Sequence, residues 1–189
     1  MIGAKRRLLT DAVAYMAEHG VADRSLRQIA AGLGTSHRML IYHFGSKEGL
    51  FVAIIKEVEA QQRAVLADLA HEPGESPGDM ARRFWRRVSD PSLWPNARLF
   101  FEIYGQALQG RPGTAHLLDD VVHAWLDPVI ALGLANGLSE EDAAVIARLG
   151  LAVTRGLLLD LLATGDRAAV DAAMEHFVVA YEARLPRHS

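Results

Sequence analysis

Apolar positions recur every three to four residues along most of this chain, a period that predicts helices rather than strands. Near the start, Leu9, Ala12, Val13 and Met16 make an i, i+3, i+4, i+7 stripe, and Leu26, Ile29, Ala30 and Leu33 repeat it on a second, two-turn helix. Ser25 with Gln28 has the capping-box spacing that starts such a helix. Gly34 ends it, because glycine enters the left-handed conformation at little cost. Ser36 suits the N-cap of a third helix, in which Leu40 and Phe44 stand one turn apart and face inward. Gly45 closes that helix and Ser46 starts the next, whose Phe51, Ile54, Ile55 and Val58 continue a pattern to about Leu69.

Beyond this, HEPGESPG at 71–78 is a break rich in proline and glycine. Helical segments follow at about 79–89, 95–109, 114–135, 139–163 and 167–185. Ser139 with Asp142 forms an N-cap pattern, Asn136-Gly137 ends the preceding segment, and Pro128 is expected to bend or interrupt 114–135. Strand alternation, internal repeats and low-complexity tracts are absent from the sequence. The predicted fold class is all-α: an N-terminal three-helix unit over 1–46, with a long helix bridging it to a helical body over 47–189.

Two short helices joined by a glycine turn form a helix-turn-helix. The core needs Leu40 and Phe44, which leaves His37, Arg38, Met39, Ile41, Tyr42 and His43 outward. In this docking geometry the first turn of the second helix reaches base edges in the major groove. Arg38 has the fork that pairs with guanine O6 and N7, and an apolar Met39 or Ile41 suits a thymine methyl. Tyr42, His43 and Lys47 are donors suited to phosphates. The amides at the start of the helix near Lys47 add an anion site.

Charge sharpens this picture. The whole chain is −3, yet residues 1–50 carry seven Lys/Arg against four Asp/Glu, so the head is +3 and the rest −6. A basic head on an acidic body directs the head toward DNA. Lys5, Arg6 and Arg7 are either an N-terminal arm that extends the phosphate contacts or a solvated helix start.

Residues 5 to about 55 resemble the DNA-binding domain of the TetR family of bacterial transcriptional regulators. The resemblance rests on Ala12, Gly20, Ser25, Ile29-Ala30, Gly34, Ser36, Leu40, His43-Phe44, Ser46-Lys47-Glu48 and Leu50, in order and at the family's spacing. One departure is Ile41, where the family usually carries tyrosine, so no phosphate role passes to that position. The resemblance implies a DNA-contacting set of Ser25, Arg27, Ser36, His37, Arg38, Met39, Tyr42, His43 and Lys47. It also implies that 47–189 binds an effector and dimerises, and that the partners are operator DNA, a second copy and a small molecule.

In the body, Ala143 to Ala163 reads AAVIARLGLAVTRGLLLDLLA. It is long enough to raise the question of a membrane span, but Arg148, Arg155 and Asp160 make insertion costly. A helix apolar on most sides is buried in a core or against a partner. Gly150 and Gly156 would let another helix approach closely. The resemblance places dimerisation on the last two helices, with Leu151, Arg155, Leu158, Leu159, Met174, Phe177 and Tyr181 as candidates. It also places an effector pocket within the body, with Trp85, Trp94, Phe100, Phe101, Tyr104, His123 and Trp125 as candidate lining. Arg98, Glu102, His116 and His123 are candidate polar anchors.

One constellation offers a rival chemistry. HLLDDVVH puts His116, Asp119, Asp120 and His123 at helical spacing, a donor set suited to zinc or iron if one helical face carries it. A single helix rarely completes a coordination shell, and no matching second motif is present. The expected set therefore holds no metal or cofactor. With no cysteine there is no disulfide or thiolate site. No HExxH or phosphate-cradling loop occurs, so an enzyme is not expected. The first twenty residues lack the apolar run of a signal peptide, in keeping with a cytoplasmic protein. The function these readings imply is a homodimeric repressor released from a palindromic operator by a small, largely apolar ligand. The alternatives are an architectural or adaptor DNA-binding protein without a ligand, and a helical metal-binding protein using His116, Asp120 and His123.

Overall fold

A computed structural model describes residues 2–19, 24–70, 76–119 and 121–185. Among these the chain forms nine α-helices, two single 3-10 turns and no strand. The helices are α1 (Ile2–His19), α2 (Leu26–Gly32), α3 (His37–Phe44), α4 (Lys47–Ala70), α5 (Pro77–Val88), α6 (Trp94–Leu108), α7 (His123–Ala135), α8 (Glu140–Thr164) and α9 (Arg167–Glu182). The 3-10 turns are Pro91–Leu93 and Ala115–Leu117.

Packing divides the chain into two compact units, Met1–Gln61 with Pro91–Val121, and Gln62–Asp90 with Val122–Ser189. The division does not follow chain order. Helix α4 contributes its first part to one unit and its last turns to the other, and α6 joins the unit that holds α1, α2 and α3.

In the first unit, Ala12 and Met16 of α1, Ile29 and Ala30 of α2, Leu40 of α3, and Leu50 and Ile54 of α4 are all buried. These are the positions that the helical period assigns to the inner faces. Leu99 and Ile103 of α6 and Leu117 are buried in the same unit, and α6 packs on α1.

The second unit is built from α5, α7, α8, α9 and the last turns of α4, with α8 packed on both α7 and α9. Leu66, Met80 and Trp125 form a buried cluster, edged by the partly buried Leu69, Phe84, Val129, Leu132 and Leu151. Polar contacts fasten α5 to α9. The Trp85 indole N–H donates to Asp171 at 2.7 Å. Arg82 donates to both Glu175 oxygens at 2.8 and 2.7 Å and reaches Glu182 at 3.0 Å. Arg167 donates to the Ser89 hydroxyl at 2.9 Å and to its carbonyl.

One expectation fails here. Segment 114–135 is not a single helix bent at Pro128. The chain leaves the 3-10 turn at Leu117, and α7 starts at His123 and runs through Pro128. The two halves serve different cores: Leu117 and Val121 are buried in the first unit, Trp125 and Leu126 in the second. Their four-residue spacing imitates one continuous helical stripe. Pro128 forfeits one backbone bond near the start of α7, a loss that the helix survives.

The α5–α9 ion pairs set a pH response. Hydrogen bonds from Arg82 hold the Glu175 carboxyl below its usual range, against the opposing influences of desolvation and Asp79. A group depressed in the folded state stabilises the fold above its unfolded pKa, and that contribution is lost as pH falls through the folded value. Thermal unfolding of Glu175→Gln should therefore lie below wild type at neutral pH, with the two melting temperatures converging in acid. Parallel pH profiles would show that the pair contributes nothing.

Candidate nucleic-acid interface

The head is assembled by local hydrogen bonds. The Gln28 amide donates to Ser25 Oγ at 3.3 Å while the Ser25 amide donates to Gln28 Oε1 at 2.7 Å, which closes the capping box. At the other end of α2, Thr35 N–H bonds the Ala30 carbonyl at 2.9 Å and Gly34 N–H the Ala31 carbonyl at 3.1 Å. This is the Schellman pairing, and it needs the left-handed φ of +63° that Gly34 supplies. Ser36 then accepts from the Met39 amide at 3.2 Å to start α3. Gly45, at φ +79°, ends it, and Ser46 accepts from the Gly49 amide at 2.9 Å to start α4.

Held this way, α3 buries Leu40 completely and presents the opposite face. Tyr42 is 66% exposed, Met39 40% and Ile41 39%, and His37 and Arg38 are exposed beside them. Arg38 and Tyr42 lie four residues apart and share the stripe farthest from Leu40. Met39 and Ile41 flank that stripe on either side. Tyr42 thus shares the outward stripe of Arg38.

The remaining candidates surround this face. His43 is half-buried and sets its ring edge-on to both Tyr42 and Phe44. Lys47 opens α4 with its ammonium 5.3 Å from the Phe51 ring, and Lys5 lies 5.7 Å from the Phe44 ring. Lys5, Arg6 and Arg7 belong to the first turns of α1 and are exposed, so they form a helix start and not an extended arm. Ser25 and Ser36 are the two N-caps, and Arg27 is exposed. Gly20 of the family pattern falls outside the described residues.

The candidate pocket residues are divided. Trp94, Phe100, Phe101 and Tyr104 lie on α6 in the first unit, where Phe100 stacks on Tyr104 at 5.3 Å and meets Phe101 edge-on at 5.2 Å. Trp85, His123 and Trp125 belong to the second unit. There Trp85 is taken up by the α5–α9 contact, Trp125 packs edge-on to Phe84, and His123 is exposed. Among the proposed anchors Arg98, Glu102 and His116 are exposed as well.

The metal reading loses its premise. His116 lies in a 3-10 turn with its ring 3.4 Å from Asp119, whereas His123 opens α7, so the two histidines do not share a helix. Asp120 lies outside the described residues, and no group of three metal-ligating side chains is found among the rest. Nor is any described helix long and apolar enough to cross a membrane.

The candidate dimer helices show which stripe each turns inward. Met174 is buried in its own unit and Leu151 packs on the Trp125 cluster, so neither faces outward. Arg155, Leu158, Phe177 and Tyr181 are half-buried, and burial pushes the Tyr181 phenol up. The outward apolar stripe of α8 is instead Val145, Leu149, Ala152, Gly156 and Leu159. Gly150 faces Phe177 of α9, where a Cβ would make an ordinary contact with the ring at 3.6 Å. A Cβ on Gly156 would meet nothing within 4 Å.

Comparison with known proteins agrees with the architecture of the head. Residues 8–54 match the family described as bacterial regulatory proteins, tetR family. The HTH-type transcriptional repressor AcnR of Corynebacterium glutamicum is 31% identical over 65 residues, 34% of this chain and 35% of that protein. The HTH-type transcriptional repressor NicS of Pseudomonas putida is 27% identical over 147 residues, 73% of this chain and 66% of that protein. A transcriptional regulator from Rhodococcus sp. RHA1 has the same fold at a TM-score of 0.77 and 19% identity, covering 98% of this chain and 99% of its own. Salmonella enterica GusR matches at a TM-score of 0.65 with 25% identity, over 93% of each chain. The helix-turn-helix head is thus similar to the tetR family of bacterial regulatory proteins over residues 8–54, and the chain as a whole shares the fold of solved transcriptional regulators.

Proposed function

We propose that this protein is a sequence-specific DNA-binding transcriptional repressor that acts as a homodimer in the cytoplasm. In this reading a small, largely apolar ligand releases it from a palindromic operator. The observation that carries it is the outer face of α3, where a buried Leu40 on one side leaves Arg38, Tyr42, Met39 and Ile41 exposed on the other. A guanidinium, a phenol and two apolar side chains on an eight-residue helix suit base edges in a major groove. Ser25, Arg27, Ser36, His37, His43 and Lys47 surround them as phosphate contacts, in a head whose net charge is positive. AcnR and NicS are named as repressors, which supports the direction of control. The functional division is a DNA-binding head over 1–46 and an effector-binding, dimerising body over 47–189.

Dimerisation is supported by the exposed α8 stripe, which Val179 extends onto α9. Val145, Leu149 and Leu159 are large apolar side chains left in water by the single chain, and Gly156 lets a facing helix come close. Two heads on a twofold axis read a palindrome. The ligand acts by population shift: it binds the dimer conformers whose heads no longer match the operator spacing. A coupling of about 1–3 kcal/mol would change operator affinity about 5- to 150-fold.

Selection of bound DNA from a random duplex library at physiological salt tests the reading, and recovery of a palindromic site is the expected result. A folded protein that enriches no site would overturn it. With the operator in hand, Arg38→Ala should relax base preference at one position per half-site, costing about 1–3 kcal/mol. Lys47→Ala should instead weaken operator and random DNA alike and reduce the salt dependence, as binding isotherms at several salt concentrations would show. Leu159→Glu should leave the fold intact, because the side chain is half in water, yet sediment as a monomer. A dimeric Leu159→Glu would move the interface elsewhere.

A further inference from the structure

Among the described residues of the second unit, one buried side-chain polar atom has no hydrogen-bond partner. Gln62 of α4 is 9% exposed, and its side-chain carbonyl Oε1 is buried without a hydrogen-bond donor. Buried carbonyls in folded proteins are nearly always paired, so an orphan calls for a specific explanation. A structural role is a poor one, because leucine or methionine would fill similar space at that position without leaving an acceptor unsatisfied.

Its surroundings suggest what the acceptor serves. One turn further along the same face of α4 is Leu66, which with Met80 and Trp125 forms the buried apolar cluster. Phe84, Val129 and Leu132 pack against the cluster and are themselves only partly buried, and the Arg63 guanidinium lies 5.6 Å from the Trp125 ring. Phe84 stands edge-on to Trp125 with ring centroids 5.7 Å apart. The arrangement is a buried apolar floor with an aromatic wall, an edge of partly buried side chains and one unsatisfied acceptor a single helical turn away. Small-molecule sites are built in this way, mostly apolar with few polar groups that fix orientation.

We propose that Gln62 Oε1 is the polar anchor of an effector site over the Leu66–Trp125 cluster. Its ligand class is a planar, apolar molecule that carries an N–H or O–H donor. The proposal rests on the repressor reading above and narrows its effector from any apolar compound to a donor-bearing one. A site that hydrogen-bonds a ligand group discriminates strongly against the isostere lacking it. Gln62 is not among the candidate pocket residues taken from the aromatic pattern, because its neighbours Gln61 and Arg63 make the stretch read as a solvated helix face.

The test uses two isosteric pairs with the full chain, indole against benzofuran and phenol against fluorobenzene, measured by titration calorimetry. Wild type should bind the donor of at least one pair tenfold or more tighter than its partner. Gln62→Leu should abolish that preference and melt at or above the wild-type temperature. Equal affinities within both pairs on wild type would overturn the proposal, as would failure of both donors to bind up to their solubility limits. So would a Gln62→Leu protein that melts lower and keeps the preference, since Gln62 would then be structural. Library selection separates the two levels. If wild type and Gln62→Leu recover the same palindrome, the DNA-binding reading stands whatever the calorimetry shows. If neither recovers a site, that reading fails by itself.

Discussion

A helix of two turns cannot sustain itself in water, because its nucleation cost exceeds what so few backbone bonds return. Helix α3 has eight residues, and it exists because Leu40 is driven into the head and because both ends are tied down. Ser36 satisfies an amide at one end, Gly45 turns the chain at the other, and the Schellman turn at Gly34 fixes the angle at which α3 leaves α2. The outward face follows from that single inward anchor. Once Leu40 is fixed, the helical period leaves Arg38 and Tyr42 as the residues farthest from the core.

The body obeys a different constraint. Helix α8 is apolar on more than one side, and three neighbours compete for it: α7, α9 and whatever lies outside the chain. The structure resolves the competition by stripe. Ala143, Ala147 and Leu161 turn inward, Gly150 meets Phe177 of α9, and Val145, Leu149 and Leu159 remain in water. Polar contacts do a separate job, fixing α5 on α9 through Arg82, Trp85 and Arg167. Apolar burial sets how much of each helix is covered, and these hydrogen bonds set its register.

What the sequence discloses and what it hides divide along the same line. The helix-turn-helix is legible because its signals are local: Ser25 with Gln28, Gly34, Ser36 and Gly45 each act within a few residues. The interruption at 118–122 is not legible, because Leu117, Val121 and Trp125 keep a helical spacing while serving two cores. The stripes of α8 and α9 are hard to assign for a related reason: period alone does not tell which of two apolar stripes faces the protein's own interior, where Met174 is buried and Leu151 partly buried. The placement of Tyr42 on the Arg38 stripe is readable by counting turns from Leu40. Gln62 carries no sequence signal at all, since only packing reveals that its carbonyl lacks a donor.

The start of α7 differs from its neighbours in one respect. Within the second unit α5, α8 and α9 each begin on a side-chain cap, at Ser76, Ser139 and Asp166. Helix α7 begins at Val122 with none, and five residues into the helix Pro128 withholds another amide from the ladder. Local opening is cheapest where the fewest bonds must break, and amide exchange follows that order. Trp125 stands in the first turn of α7, so the ring that meets Phe84 is carried by the helix of the unit that starts without a side-chain cap.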